Sequence, residues 1–425
     1  MASTTFTTVA NRPGRGKDGK PAALRVPRFS RAIAPTTDLE FVSGEGVELV
    51  TTDGVRYLDF ISGYGVVNTG HCHARVVAAI QDQASTLMHI STMGRTVPAT
   101  AYAERLCAAA PVDDAKLVFT NSGTEAVEAA LKLSRYASGR PNVVAFAGGF
   151  HGRTLGSLSV STSKAAFRTR HEPLAGGVYV VPYPRAELQP TLDALHRLFV
   201  EQVEPERVAA FIVEPVLGEG GYVVPPDDFL PALRELCDTF GIALIVDEVQ
   251  SGFGRTGRLF ACQHAGVAPD LMTVGKGIAS GFPMGALIGR AELMDAWEPG
   301  AHGTTFGGGP LACAAAEATL DVLEEEGVLE NASRRGAQLL DGLQQLAVAH
   351  PSLVSDVRGR GLMVGVGLDS AGVAARLRGE LLERCVIVST CGPDSSSLRL
   401  SPPLVIREEH VSRFINTCRD ILQAW

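Results

Sequence analysis

Three short stretches of the sequence combine residue types that could do chemistry. In IVDEVQSGFGRTG, 245–257, an apolar run leads straight into Asp247 and Glu248. In LMTVGKGIASGFPMGA, 271–286, a second apolar run leads into Lys276, flanked by Gly275 and Gly277. Asn121-Ser122-Gly123-Thr124 opens a stretch with Ala126, Val127, Ala130 and Leu131 at helical spacing. A strand-end acid is commonly a solvated cap, and a lone lysine is commonly a surface charge. A lysine held between glycines at a strand end, 29 residues after a strand-end acid, is less ordinary. A helix N-terminus is an anion site because its first N–H groups lack partners and its dipole is positive there. The same residues also read as a plain capped helix start.

These stretches need a frame that brings strand ends together. Apolar runs of strand length occur at 116–120, 142–147, 178–181, 208–215, 242–247, 271–275 and 284–289. Between them, Leu192, Leu195, Leu198 and Phe199, and then Leu230, Leu233, Leu236, Cys237 and Phe240, repeat at helical spacing. Strands alternating with helices predict an α/β architecture, a mostly parallel sheet covered on both faces. Ligand sites of such sheets lie beyond the carboxyl ends of the strands. Short strands with turns at Gly44, Gly46 and Asp53-Gly54 are expected over 40–60. Beyond 311 the chain reads as mostly helical, with strands near 362–367 and 385–389. The expected division is a flexible arm at 1–21, a small domain built from 22–72 and 311–425, and a large domain at 73–310.

Composition bounds the function classes. The 425 residues carry a net charge of −8, without the basic stripe of a nucleic-acid binder. No apolar run approaches the ~20 residues of a membrane span, and the polar start lacks the apolar core of a secretory signal. Eight scattered cysteines without a C-x-x-C pair suit a reducing cytoplasm. His71 and His73 have metal-like spacing but no further ligand cluster, so no metal is expected.

The pair Asp247 and Lys276 closely resembles the central signature of the class III (ω-amino acid) aminotransferases that use pyridoxal 5'-phosphate (PLP). DFISGYGVVNTGHCHARV (59–76), FTNSGTEAVEAALKL (119–133), GGFHGRT (148–154), EPVLGEGG (214–221), GTTFGGGPLA (303–312) and LRLSPPLVI (398–406) resemble that family's blocks, in its order. The likeness is greatest to 4-aminobutyrate aminotransferases. It implies fold type I, with a mixed, mostly parallel seven-stranded sheet flanked by helices and a smaller α+β domain. It makes Lys276 the lysine that carries PLP and moves a proton during transfer, and Asp247 the partner of the pyridine nitrogen. Gln250 would contact the phenolic oxygen, Val249 and Phe150 the two ring faces, and Gly123 and Thr124 the phosphate. Thr305 would reach the neighbouring subunit's phosphate in a homodimer with shared sites. Arg153 resembles the arginine that grips a donor's distal carboxylate, and Arg399 the one that grips the α-carboxylate of 2-oxoglutarate and glutamate. Glu219 resembles the residue that pairs with the latter arginine when no α-carboxylate is bound. Glu214 is an acid supporting the substrate side.

Some positions depart from that pattern. Tyr64 stands where 4-aminobutyrate enzymes resemble one another in an isoleucine, and where ornithine aminotransferases have a tyrosine near the α-carboxylate. Ala74 replaces a proline and Gly309 an asparagine, which would loosen the backbone and widen access. Arg95 adds a charge near the expected entrance. The reaction implied is ping-pong transfer from a terminal primary amine, such as 4-aminobutyrate, to 2-oxoglutarate. Ornithine, lysine or an amino sugar is the alternative donor, and an aminomutase or decarboxylase the alternative chemistry.

Overall fold

A computed structural model describes residues 29, 30, 32, 33 and 35–425. The arm expected over 1–21 lies outside them. Seven strands, β1 (Ala115–Thr120), β2 (Asn142–Phe146), β3 (Val178–Val181), β4 (Val208–Val213), β5 (Ala243–Asp247), β6 (Leu271–Val274) and β7 (Gly285–Arg290), form one sheet. Their order is β1-β7-β6-β5-β4-β2-β3. β3, β2, β4, β5 and β6 run parallel, and β7 is antiparallel to both β6 and β1. The exception has a local cause. The β6–β7 connection, residues 275–284, is too short for the crossover that a parallel pair requires.

Alternate residues of each strand enter opposite layers, as the pleat dictates. Val144, Phe146, Phe211 and Val213 join one core, and Val143, Ala145, Ala210 and Ile212 join the other. The second layer includes Val127, Ala130 and Leu131 from the helix Gly123–Ser138. The first takes Leu195 and Leu198 from Gln189–Glu201, and Leu230, Leu233 and Cys237 from Phe229–Phe240. Each such aliphatic side chain contributes roughly 1.5–3 kcal/mol on burial, which explains why the apolar spacing predicts these helices well.

Residues Phe41–Glu45, Glu48–Thr51 and Arg56–Asp59 form an antiparallel meander. Val386–Ile387 adds to its last strand in parallel, so the beginning and end of the described chain share a sheet. A second antiparallel sheet contains Val354–Arg360, Met363–Leu368, Ser397–Leu400 and Ser389–Cys391. The first and third of these strands are not among the sequence expectations. Val354–Arg360 carries a largely solvent-touched, charged sequence without an apolar run.

Arg255 lies at the junction, fully buried. Its guanidinium donates to Leu362 O (3.1 Å), Pro402 O (2.5 Å), Asn68 Oδ1 (2.7 Å) and Ser62 Oγ (3.3 Å). Burial pulls its pKa down to about 10. His71 is bonded to Asp59 at 2.8 Å and His73 to Glu326 at 3.3 Å. Ala74 begins the helix Ala74–Thr86, and Gly309 caps the helix Pro310–Glu325 with an ordinary φ of −56°. Both replacements therefore sit at helix starts. No helix of the described residues is long and apolar enough to cross a membrane.

Candidate active site

The chemistry-bearing stretches follow the carboxyl ends of β1, β2, β4, β5 and β6, which share one edge of the sheet. Asp247 ends β5 and is the register partner of Thr273 on β6. Its Oδ1 accepts from Thr273 Oγ1 at 3.0 Å and from the Val249 N–H at 3.1 Å. Its Oδ2 lies 2.7 Å from His151 Nδ1. Burial alone would lower the His151 pKa, but the hydrogen bond and charge of Asp247 more than offset this and hold it above its ordinary 6.5. A carboxylate held by three groups keeps one orientation and still has lone pairs to offer.

Lys276 starts the short turn Lys276–Ala279 with a left-handed φ of +44°, an unfavourable conformation for a side chain this large. Its glycine neighbours make the placement possible. A Cβ on Gly277 would meet Asn68 Nδ2 at 2.3 Å, and one on Gly275 would meet the backbone of Gly123 at 3.2 Å. Burial pushes the Lys276 ammonium down from its ordinary 10.5, opposed by the charges of Asp247 and Glu214.

Gly123 opens the helix Gly123–Ser138, capped by the Ser122 hydroxyl. A Cβ there would lie 2.6 Å from Val249, so Val249 packs directly over the helix start. The first N–H groups of the helix have no partner within it. The Thr124 hydroxyl is 2.9 Å from Thr154 Oγ1 and 2.7 Å from Ser157 Oγ. Glu214 follows β4 and accepts from the Phe150 and Gly218 N–H groups, each at 2.8 Å. Its burial pushes its pKa up to about 7. The Gln250 amide donates to Tyr222 Oη at 2.8 Å.

At the other end, Arg399 Nη1 donates to Glu219 Oε2 at 2.7 Å. Arg399 is only 8% exposed, and its Nε has no partner among the described residues. The Tyr64 ring lies 4.5 Å from the Arg399 guanidinium carbon. Tyr64 has a left-handed φ of +68° between Gly63 and Gly65, and its hydroxyl bonds Thr36 Oγ1. The Arg153 guanidinium is 4.0 Å from the centre of the Phe167 ring and 6.0 Å from that of Phe150. Among the described residues Arg153 makes no salt bridge. Thr305 is exposed, and its neighbour Thr304 accepts from the Asn121 amide at 3.3 Å. Arg95 is likewise exposed.

His151, Thr273, Tyr222 and Lys164 were not singled out in the sequence, and each touches a residue that was. His151 adjoins Phe150 in the GGFHGRT block, a signal that could have found it. Thr273 shares the sheet face of Asp247 by strand alternation. Lys164, 2.9 Å from Glu219, carries no sequence signal.

The family model described as Aminotransferase class-III matches residues 31–422. The chain belongs to the class III aminotransferases. It is 43% identical to an acetylornithine aminotransferase of Methanopyrus kandleri, over 90% of this chain and 94% of that protein. It is 40% identical to a 4-aminobutyrate aminotransferase of Escherichia coli, over 88% and 92%. A PLP-bound amine transaminase from an uncultivated Pseudomonas species superposes with a TM-score of 0.87 at 31% identity, covering 94% of this chain and 99% of that one. This class III aminotransferase is a PLP-dependent enzyme of fold type I, acting on an amino donor and a keto acid.

The residues present fit that cofactor. The glycine-lined helix start offers N–H donors to a phosphate. The buried, oriented Asp247 suits a protonated ring nitrogen. Lys276, with its lowered pKa, suits carbonyl attachment.

Proposed function

We propose that this aminotransferase moves the amino group of a terminal primary amine of the 4-aminobutyrate kind to 2-oxoglutarate, giving an aldehyde and glutamate. The observation that carries this reading is the 2.7 Å pairing of Arg399 with Glu219. One pocket must receive an amine without an α-carboxylate and an acid with one. A buried guanidinium left bare is costly. Glu219 covers it in the first case and yields it in the second. The unpartnered Arg399 Nε leaves a donor for bidentate grip of the incoming carboxylate. Arg153, without a salt bridge among the described residues, would hold the carboxylate at the far end.

Bound PLP supplies a carbonyl carbon that accepts the amine and a ring that takes up an electron pair. The Lys276 amine, with lowered proton affinity, moves a proton to and from the donor's amine-bearing carbon. Asp247 would keep the ring nitrogen protonated. Val249 and Phe150 would confine the ring, Gln250 would serve its phenolic oxygen, and Gly123 and Thr124 would bind the phosphate. Glu214 anchors the Phe150 and Gly218 backbones. The same reading includes a homodimer in which Thr305 of the partner subunit completes the phosphate site. The exposed Met88, Met93, Val97 and Phe306 support such an interface.

A second donor class has its own support. Tyr64 lies on Arg399, and the Methanopyrus relative is an acetylornithine aminotransferase. A donor with an α-carboxylate and a blocked α-amine would use both. The test is a panel of half-reactions on the PLP-loaded enzyme with 4-aminobutyrate, acetylornithine, ornithine, lysine and an amino sugar. Loss of the visible cofactor absorption reports transfer. Rapid loss with 4-aminobutyrate supports the first reading, and silence with it but loss with acetylornithine replaces it by the second. If some donor reacts but glutamate does not, the 2-oxoglutarate assignment fails.

A further inference from the structure

Glu219 is shared between two cations. While its Oε2 takes Arg399, its Oε1 lies 2.9 Å from Lys164 Nζ. The three side chains are 13%, 10% and 17% exposed for Glu219, Arg399 and Lys164, so water does little to replace a lost partner. Lys164 is itself fixed. Its ammonium contacts Ser395 Oγ at 3.2 Å and lies 5.7 Å from the Phe167 ring centre. The loop that carries Ser395 also holds Glu219 by its backbone, through the Gly392 N–H to Glu219 O bond at 2.9 Å. Lys164, Ser395 and the Glu219 main chain therefore form one bracket, separate from Arg399.

We propose that Lys164 is a positioning residue that retains Glu219 when a substrate carboxylate takes its place on Arg399. The inference rests on the reading above in which 2-oxoglutarate is the acceptor and the donor, 4-aminobutyrate in the test below, has no α-carboxylate. A carboxylate leaving Arg399 without a second partner would be a partly buried, unpaired charge, and that penalty would oppose binding of the dicarboxylate. With Lys164 in place, one oxygen stays paired while the other turns away. An ammonium suits this better than a guanidinium, because its three donors rotate with the moving acceptor. The amine donor leaves the Arg399–Glu219 pair closed, so it makes no such demand.

The test compares the PLP-loaded wild type with Lys164→Met, Lys164→Arg, Glu219→Gln and the Lys164→Met/Glu219→Gln double variant. Calorimetric titration with glutarate, an unreactive dicarboxylate, reads the pocket without turnover. The two half-reactions are then measured separately. Lys164→Met is expected to weaken glutarate and raise the KM for 2-oxoglutarate by about tenfold, the order of one lost partner for a partly buried charge. The amine half-reaction should stay within about twofold, Lys164→Arg should restore most of the affinity, and melting temperatures should confirm folding. In the Glu219→Gln background the Lys164 change should add nothing. Equal losses in both half-reactions overturn the proposal. So does a tenfold loss that persists without Glu219, which would mean that Lys164 binds the ligand itself. Unchanged glutarate binding in Lys164→Met overturns the role of Lys164 alone. A wild type that neither binds glutarate nor reacts with 2-oxoglutarate overturns the acceptor reading, and this proposal with it.

Discussion

Asp247 and Arg399 are both buried charges, yet the molecule holds them in opposite ways. Asp247 has three partners on three different stretches of chain, His151, Thr273 and the Val249 backbone. Among the described residues Arg399 has one carboxylate partner, a neighbouring ring and an unused Nε. The first arrangement fixes the orientation of the carboxylate from three sides. The second keeps donors in reserve for an incoming group. The fixed end suits a step common to every donor, and the adjustable end suits the choice of substrate.

The comparison breaks first at Lys276. Lys276→Ala should lower turnover by at least ~10⁴-fold while circular dichroism and melting remain those of a folded protein. Substantial activity without added amine would remove the lysine from its role. At the fixed end, Asp247→Asn should cost about 10³-fold in both half-reactions alike, as loss of a preorganised charge does. At the adjustable end the loss should be one-sided. Arg399→Ala should impair the 2-oxoglutarate half-reaction by about 100-fold and the 4-aminobutyrate half-reaction by less than about threefold. Equal losses would mean that the two ends are not distinct. Tyr64→Ile should shift the ratio of 4-aminobutyrate to acetylornithine rates by about tenfold, read from the same spectroscopic panel.

The smallest effect concerns Glu214. Its pKa rises from 4.5 to about 7 on folding, so the folded protein holds this proton more tightly than the unfolded chain. That contribution is complete below about pH 4.5 and is lost as the pH rises through about 7. The wild-type melting temperature should therefore fall by about 2–4 °C more than that of Glu214→Gln between about pH 5 and pH 8.

The sheet strands were legible because burial on both faces leaves continuous apolar runs, as in Val208–Val213. The reversed direction of β7 is not written in its own apolar run, which is the same read either way, but in the short gap between the runs at 271–275 and 284–289. Val354–Arg360 escaped notice for the opposite reason, a strand whose side chains mostly touch water. Within the site, Asp247 and Lys276 stood out by their place after apolar runs. Lys164 did not, because its meaning comes from a contact with Glu219, a residue on a different loop. The resemblance supplied the pairing of Glu219 with Arg399 because both lie in its blocks, and it was silent on Lys164, which lies in none of them.

Arg255 has a consequence for how the molecule assembles. Its four acceptors come from Ser62 and Asn68, from Leu362, and from Pro402, and no carboxylate is among them. With a pKa of about 10, the group stays charged at neutral pH and cannot escape its solvation cost by losing a proton. The docked stretches meet four of its five N–H donors, with Nε unpartnered among the described residues, and each missing acceptor would leave a further N–H bare. One side chain thereby couples the docking of the early and late parts of the chain to the central segment that carries it.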